Sequence, residues 1–374
     1  MSLPDSVHVA LQAAREALTA GDHDLAAEQA AEATRVAEAH ADPDVAAHAR
    51  SVRLQHLYAL GRYGEALLEG RRALQAWQGL QQPEEQAQVL CVMSATASEL
   101  DLDHEALSIA HQAFDLARRH GLAASMIHAL ALLGTLHGRL EDHETGERLL
   151  LQSLSRAREH HDAVAVMRSV NALLSLLVAA HAWQLREGLD EVAAATARRM
   201  QHHARTALAL ADQHGHTYRR AVLRSNAGAA LAVAGHLGEA QAPLLQSWRE
   251  AAGEGLHAVA LKSGLRLVNC QLQRGELETA AALCAELMQA LRPDDPPTAQ
   301  IELREMSARI AAAQGDKLQA MALSEVAAGL RQQRDLRPPV PRQTLEDSAT
   351  KIIDALANID RDWAESGLTG LTGH

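Results

Sequence analysis

A short element recurs along this chain at a spacing of 40 residues. It reads GRYGEA at residues 61–66, and related elements begin at residues 21 and 101, and again at 235, 275 and 315. Each ends in Ala and separates two segments with the hydrophobic periodicity of helices. Self-similarity at a fixed period of this size indicates a repeat array. We therefore predict an all-α fold, a right-handed α-solenoid of about eight helix-turn-helix units followed by a C-terminal helix.

Composition supports helices and argues against several classes of partner. The apolar residues are mainly Ala and Leu, which are strong helix formers. A net charge of −12 is unfavourable for phosphate contacts, so we expect no direct nucleic-acid partner. The longest apolar run, near residues 172–183, is too short to span a bilayer. No signal sequence precedes the first helical pattern, so we expect a cytoplasmic protein without a membrane partner.

Each unit is predicted to contain a helix A, a tight turn and a helix B. Pro43 and Pro83 are placed to open successive A helices, where the missing N–H of proline costs no hydrogen bond. An Ala follows each turn, where helix B has to cross helix A closely and a larger side chain would separate the axes. These alanines are Ala26, Ala66, Ala106, Ala240, Ala280 and Ala320. In several units a second Ala follows seven positions later, on the same helix face.

These features together resemble the tetratricopeptide repeat: a small residue on helix A, a Gly-x-Tyr turn at residues 61–63, and paired Ala residues on helix B. The unit is about six residues longer than the standard repeat and is similar to the long repeats of bacterial regulators. The resemblance covers about residues 5–334. It implies a concave groove, lined by the A helices, that binds a protein or a peptide.

The pattern is interrupted in the middle of the chain. Gly146 stands where Ala is expected, and 94 residues separate Glu141 from Gly235, which is more than two periods. We expect the extra residues in an irregular fifth unit, at about residues 162–215, near residues 183–200, where they lengthen the loop and helix B. The predicted organisation is a repeat array at 1–334, a Pro-rich connector at 335–342, a heptad-patterned helix at 343–365 and a tail at 366–374.

The heptad-patterned helix carries apolar residues at steps of four and three, which is typical of a coiled-coil seam. They are Leu345, Ala349, Ile352, Leu356, Ile359 and Trp363. Two interpretations are open: the helix forms a homodimer, or it caps the end of the array.

The tail contains the segment Leu-Thr-Gly-Leu at residues 368–371, which resembles the entry to a diguanylate cyclase (GGDEF) domain. Ser366, Gly373 and His374 depart from that motif, and the catalytic motif is absent. The resemblance implies the sensory part of a signalling protein, without cyclase activity.

No pattern in the sequence predicts catalysis. The 21 histidines include no HExxH, and no Cys/His cluster has the spacing of metal ligands. Gly-rich phosphate loops and nucleophile elbows do not occur. The three cysteines lie within helical patterns, where we expect buried thiols. We predict no enzyme activity, no cofactor and no metal.

The resemblance to the tetratricopeptide repeat also implies which residues line the groove. Counting along each helix A gives Gln55, His128, Thr135, Arg139, Asn171, Ser225, Asn226, Lys262, Asn269, Gln273 and Arg309. Asn side chains in these positions can pair with the backbone of an extended peptide. The alternative is that they make ordinary contacts between helices. Tyr58 and Tyr218 either line the groove or fill gaps between helices.

The predicted function follows from the resemblance of the repeats to tetratricopeptide repeats. We predict a protein- or peptide-binding scaffold that is the sensory or regulatory module of a bacterial signalling protein. The alternative is a regulator similar to peptide-pheromone receptors, which binds a short peptide in the concave groove.

Overall fold

The computed structural model describes residues 12–13, 23–39, 42–213, 216–293, 295–336 and 339–365, with the side chains of 23–24 and 360–365 excepted. The predicted segment at residues 368–371 lies outside these ranges. The described residues form sixteen helices and no strand. The helices are α1 (His23–Ala39), α2 (Pro43–Leu60), α3 (Tyr63–Gly79), α4 (Pro83–Glu99), α5 (Asp103–Arg119), α6 (Ala123–Arg139), α7 (His143–Glu159), α8 (Ala163–Arg186), α9 (Asp190–Gln213), α10 (Thr217–Val233), α11 (Leu237–Gly253), α12 (His257–Gln273), α13 (Leu277–Ala290), α14 (Pro297–Ala313), α15 (Lys317–Asp335) and α16 (Arg342–Glu365).

The helices alternate as the repeat pattern predicts. The A helices are α2, α4, α6, α8, α10, α12 and α14, and the B helices are α1, α3, α5, α7, α9, α11, α13 and α15. Pro43 and Pro83 occupy the first turns of α2 and α4, which confirms their predicted role. Asp142 and Asp162 cap α7 and α8 by accepting backbone N–H hydrogen bonds.

Most of the described turns between helices contain a left-handed residue just after the preceding helix. Gly occupies this position in several turns, for example Gly61 with φ of 80° and Gly121 with φ of 65°. Non-Gly residues take the same conformation at Gln81, Asp101, Glu141 and His161. Gly adopts this conformation without steric cost, whereas an L side chain does not. The turn geometry therefore persists where the Gly signal in the sequence is lost.

Small residues lie where paired helices cross, as predicted. Ala66, Ala106 and Ala240 are fully buried. In the fourth repeat the crossing is closer still: a Cβ added at Gly146 would lie 2.7 Å from the carbonyl oxygen of Gly134. Gly replaces Ala here because backbone of α6 leaves no room for a methyl group on α7.

The A helices form an inner layer and the B helices an outer one. Between neighbouring repeats the A helices contact one another, whereas each helix B mainly contacts the A helices beside it. The core lies between the two layers and includes Phe114, Leu150 and Leu173, which are fully buried. We call the exposed side of the A-helix layer the inner face.

The fifth repeat is longer than the others because both of its helices are extended. α8 and α9 have 24 residues each, whereas α6 and α7 have 17. The connection at residues 187–189 is as short as in other repeats, so the extra residues do not lengthen the loop as the sequence suggested. By length and composition α8 could cross a membrane, yet 56% of its most apolar window is buried within the protein.

A second compact unit begins at Pro338, and it contains α16. Within α16, Leu345, Ile352 and Leu356 are buried, and Ala349 and Ile359 are half-buried. The side chain of Trp363 lies outside the described residues.

Candidate binding surface on the inner face

The array folds back on itself, because α12 in the seventh repeat contacts α2 in the second. A Cβ added at Gly61 would lie 2.6 Å from the Cβ of Ala258. Nearby, Ala59 and Ala221 belong to one buried apolar cluster that links α2 with α10. We call this set of contacts between repeats two and three and repeats six to eight the seam. It brings inner faces from distant parts of the chain together.

Polar groups extend the seam. Tyr58 on α2 and Tyr218 on α10 lie close enough for each hydroxyl to influence the pKa of the other. The Tyr58 ring also lies 5.7 Å from that of Tyr63, centroid to centroid. Burial raises the pKa of all three tyrosine hydroxyls, which therefore stay protonated. Tyr58 and Tyr218 thus bridge the seam.

Two hydrogen-bonded polar pairs cross the same seam further along. Lys262 on α12 forms an ion pair with Glu99 at the end of α4. Thr298 on α14 donates a hydrogen bond of 2.8 Å from Oγ1 to Oδ2 of Asp101. Repeats three, seven and eight are therefore linked through side chains on the inner face.

Several of the predicted groove residues are engaged in contacts within the protein. Asn226 donates from Nδ2 to Oδ1 of Asn171 at 2.6 Å, which joins the neighbouring helices α10 and α8. Ser225 accepts a hydrogen bond of 2.7 Å from Arg266. Thr135 donates to the carbonyl oxygen of Ala131 within its own helix. The Asn226–Asn171 and Arg266–Ser225 bonds position the A helices relative to one another, whereas the Thr135 bond stays within α6.

Arg139 is also held internally. Its guanidinium lies 3.0 Å from Asp101 and 3.1 Å from Asp103 in the preceding repeat. Burial is the largest single influence on the pKa of Arg139 and lowers it. The two aspartates act in the opposite direction, and the pKa is raised as a result. Asp101 consequently connects Arg139 to Thr298 and ties the fourth repeat to the eighth.

Four predicted residues keep their polar groups available. The side chains of Gln55, Asn269, Gln273 and Arg309 make no hydrogen bond or ion pair with any residue in the described ranges. Asn269 is half-buried, and the other three are exposed. Gln55 also lines a cavity of about 120 Å³ between α2 and α4. These side chains can offer donors and acceptors to a ligand.

His128 is, like Asn269, half-buried without a side-chain hydrogen bond among the described residues, but its imidazole can also change its charge. Burial first, and then the positive charge of Arg168, hold its pKa well below the usual range. The imidazole is therefore neutral at pH 7.

Sequence reasoning missed several charged residues on the inner face. Arg168 and Glu302 are the sixth residues of α8 and α14, the position that His128 and Lys262 occupy in α6 and α12. Burial lowers the pKa of Arg168 and raises that of Glu302. This shared register was the signal that could have identified them.

Other chemistry is not assembled in the part of the chain that the structure describes. No group of three or more His, Cys, Asp or Glu side chains comes together there to hold a metal. Cys91, Cys270 and Cys284 are buried free thiols, as the helical patterns predicted. Burial raises the pKa of Cys91 to about 12, so its thiol is not reactive at pH 7.

Alternating A and B helices, small residues at each crossing and an inner layer of A helices define this protein as a tetratricopeptide-like α-solenoid. A Rap protein complexed with competence and sporulation factor has a TM-score of 0.55 and 12% identity, over 89% of this chain and 99% of that one. The Rap conjugation gene regulator of plasmid pLS20, solved with the Phr* peptide, has a TM-score of 0.56 and 12% identity, over 89% and 97%. No family model and no curated protein matches the sequence. Likeness at this identity establishes the fold alone.

Proposed function

We propose that this protein is a non-enzymatic regulatory scaffold of the cytoplasm that binds an extended peptide on its inner face. The peptide is either a segment of a partner protein or a free short peptide. The observation that carries the proposal is the set of available polar side chains, Gln55, Asn269, Gln273 and Arg309, on a face that the seam brings together from distant repeats.

The chemistry of these side chains suits a peptide. Primary amides both donate and accept hydrogen bonds, so Gln55, Asn269 and Gln273 match the alternating N–H and C=O groups of an extended backbone. Groups already held internally, such as Asn171 with Asn226, keep the A helices in place, which lowers the cost of ordering the site on binding. The Rap conjugation gene regulator of similar fold was solved with the Phr* peptide, and this supports the same class of ligand here.

The test is affinity selection of a random peptide pool on the immobilised full chain, followed by calorimetry with the enriched peptides. We expect Gln273→Ala to weaken binding by about threefold to tenfold, the effect of one lost hydrogen bond. Gln112→Ala is the matched control, because Gln112 is an exposed amide on the outer helix α5. Enrichment of no peptide, or equal losses in the two variants, would contradict the proposal.

A second proposal concerns residues 343–365. We infer that this helix contributes to a homodimer through Ala349 and Ile359, the described residues of its heptad seam that are only half-buried in the single chain, because the helix belongs to a unit of its own. Light scattering on the full chain is expected to give a dimer, and Ile359→Asp a monomer. Ala357→Asp, at an exposed position, should leave the mass unchanged. A monomeric full chain would exclude this role for the helix.

A further inference from the structure

Three arginines converge on one buried carboxylate between α2 and α3. The side chain of Glu69, on α3, is only 3% exposed. Its Oε1 accepts a hydrogen bond of 2.7 Å from Nη1 of Arg50, and its Oε2 accepts one of 3.0 Å from Nη1 of Arg53. Nη1 of Arg72 lies 3.6 Å from the same Oε2. We call these four residues the arginine cluster.

The arginine cluster carries more positive charge than the carboxylates around it neutralise. Arg50 has a second partner, the exposed Glu38 near the end of α1. Arg53 and Arg72 have no acidic partner other than Glu69 among the described residues. Three guanidinium groups therefore share two carboxylates, although the whole chain has a net charge of −12. This local surplus of positive charge favours an anion.

Arg53 shows where an anion can bind. Its Nε is shielded from solvent and has no hydrogen-bond partner among the described residues. Only Nη1 of this guanidinium is engaged there, so the edge formed by Nε and Nη2 has no acceptor. In Arg62 the same edge binds both carboxylate oxygens of Glu65, at 2.7 and 2.8 Å. A shielded donor without an acceptor is costly, and an oxyanion bound to this edge removes the cost.

Arg72 lies on the solvent side of the arginine cluster. Its side chain is 52% exposed, whereas that of Arg53 is 27% exposed. Because both residues contact Oε2 of Glu69, their guanidinium groups are neighbours. A carboxylate has two oxygens, both of which the edge of Arg53 would use, whereas a phosphate offers a third to Arg72. The arrangement therefore suits a phosphate better than a carboxylate.

We propose that the arginine cluster is a phosphate-binding site, in which Arg53 binds two oxygens through Nε and Nη2 and Arg72 binds a third. Glu69 holds both guanidinium groups in place, and Arg50 balances its charge. The phosphate is either free in solution or carried by a phosphorylated side chain of a partner protein, since both present the same oxygens. This site goes beyond the proposed function, because it includes none of the inner-face residues proposed to bind a peptide.

The first test detects the phosphate at Arg53. Arginine Nε–H resonances of the full chain are followed by NMR during titration with inorganic phosphate or sodium acetate, at constant ionic strength against chloride. We expect a saturable shift of the Arg53 resonance with phosphate, assigned by its disappearance in Arg53→Gln. The resonance of Arg249, an exposed arginine on α11, should not show a saturable shift. No saturable shift at Arg53, or acetate binding as tightly as phosphate, would overturn the proposal.

The second test measures the contribution of each arginine by calorimetry with inorganic phosphate. Arg53→Gln and Arg72→Gln should each weaken binding at least about tenfold, the effect of a lost hydrogen bond to a charged group. Arg72 is exposed, so its substitution leaves the fold intact and separates binding from stability. Arg249→Gln, which removes one positive charge elsewhere, should leave the affinity unchanged. Equal affinities of all three variants would contradict the site.

The third test identifies the source of the phosphate. A short phosphoserine peptide with blocked termini is compared with inorganic phosphate and with the same peptide carrying serine. Binding of the phosphopeptide at least about tenfold more tightly than inorganic phosphate would identify a phosphorylated partner. Equal or tighter binding of inorganic phosphate would identify a free phosphate, and equal binding of the serine peptide would overturn the site. Gln273→Ala, which tests the inner face, should not change any of these affinities.

Discussion

Gly61 and Ala258, which lie on opposite sides of the seam, approach so closely that a Cβ added at Gly61 would stand 2.6 Å from the Cβ of Ala258. Gly61 also has a φ of 80°, a left-handed conformation that Gly adopts without strain. Gly at this position therefore serves both the turn and the return of the array onto itself.

Substitution of Gly61 separates these two roles. Gly61→Ala should lose about 1–2 kcal/mol from backbone strain, plus a further loss because the methyl group pushes α2 away from α12. Gly121→Ala is the control: it has the same handedness of φ but open space around it. Urea unfolding of both variants gives the difference. Equal losses would mean that the close approach is absent in solution.

Two buried serine pairs repeat the same arrangement in different parts of the array. Ser153 donates to the carbonyl oxygen of Ile127 and lies 2.9 Å from Ser169. Ser247 makes the equivalent bond to Ala221 and lies 2.8 Å from Ser263. Ser153 joins α7, and Ser247 joins α11, to the helix A that precedes it and to the helix A that follows it.

Because these hydroxyls satisfy buried groups, we expect Ser153→Ala and Ser247→Ala each to lower the free energy of unfolding by about 1–3 kcal/mol. The two losses should add, since the sites share no partners. Ser155→Ala, an exposed change on the same helix as Ser153, should stay within about 0.5 kcal/mol. Denaturant titrations of the single and double variants test this; a neutral Ser247→Ala would contradict it.

The left-handed non-Gly residues offer a stabilising change. Gln81 is exposed with a φ of 54°, so Gln81→Gly should raise stability by about 1 kcal/mol through relief of strain. Asp101 has a φ of 56° but accepts hydrogen bonds from Arg139 and Thr298. Asp101→Gly should therefore destabilise the protein despite the same gain in the turn. Melting temperatures of the two variants should move in opposite directions.

Stability is expected to fall on acidification. Burial lowers the pKa of six histidines: His128, His137, His143, His181, His203 and His216. Since their folded pKa lies below the unfolded value, the unfolded chain binds more protons as the pH falls below about 6.5. The stabilising contribution of the neutral imidazoles is therefore complete above that pH and is lost below it.

His128 provides the specific test of this pH dependence. Between pH 7.5 and 5.5, His128→Gln should lose about 1 kcal/mol less stability than the native chain. The exposed His104→Gln should follow the native chain. Urea midpoints at several pH values, all above the range where carboxylates titrate, measure the difference. Identical slopes for both variants would show that His128 is not the source.

The architecture was predictable because the signals for it are local and repeated. Proline at the first turn of α2 and Ala66 at the helix crossing are required by contacts within one repeat, so the sequence of that repeat is enough to predict them. The position of the extra residues was harder: α8 and α9 share them equally, and nothing in the sequence marks the turn at 187–189 apart from Gly188.

The inner face was predictable only in part, because its contacts join distant repeats. Counting along the A helices found Asn269 and Lys262, but it could not show that Lys262 meets Glu99 across the seam. Arg168 was missed even though it shares the register of His128, because α8 is seven residues longer than α6 and a count back from its turn reaches a different residue. The contact between Lys262 and Glu99 depends on the curvature of the array, which no single repeat specifies.

The fifth repeat has a consequence for how arrays of this kind change in length. Seven residues turn a helix by about 700°, only about 20° short of two full revolutions. Extending both α8 and α9 by this amount displaces their shared turn by about 10 Å while each buried stripe keeps its direction. Insertion of five residues in one helix would instead swing that stripe toward solvent. A repeat can therefore become longer when both of its helices gain seven residues, which is about two helical turns. The buried faces then keep their direction, and the neighbouring repeats can pack as before.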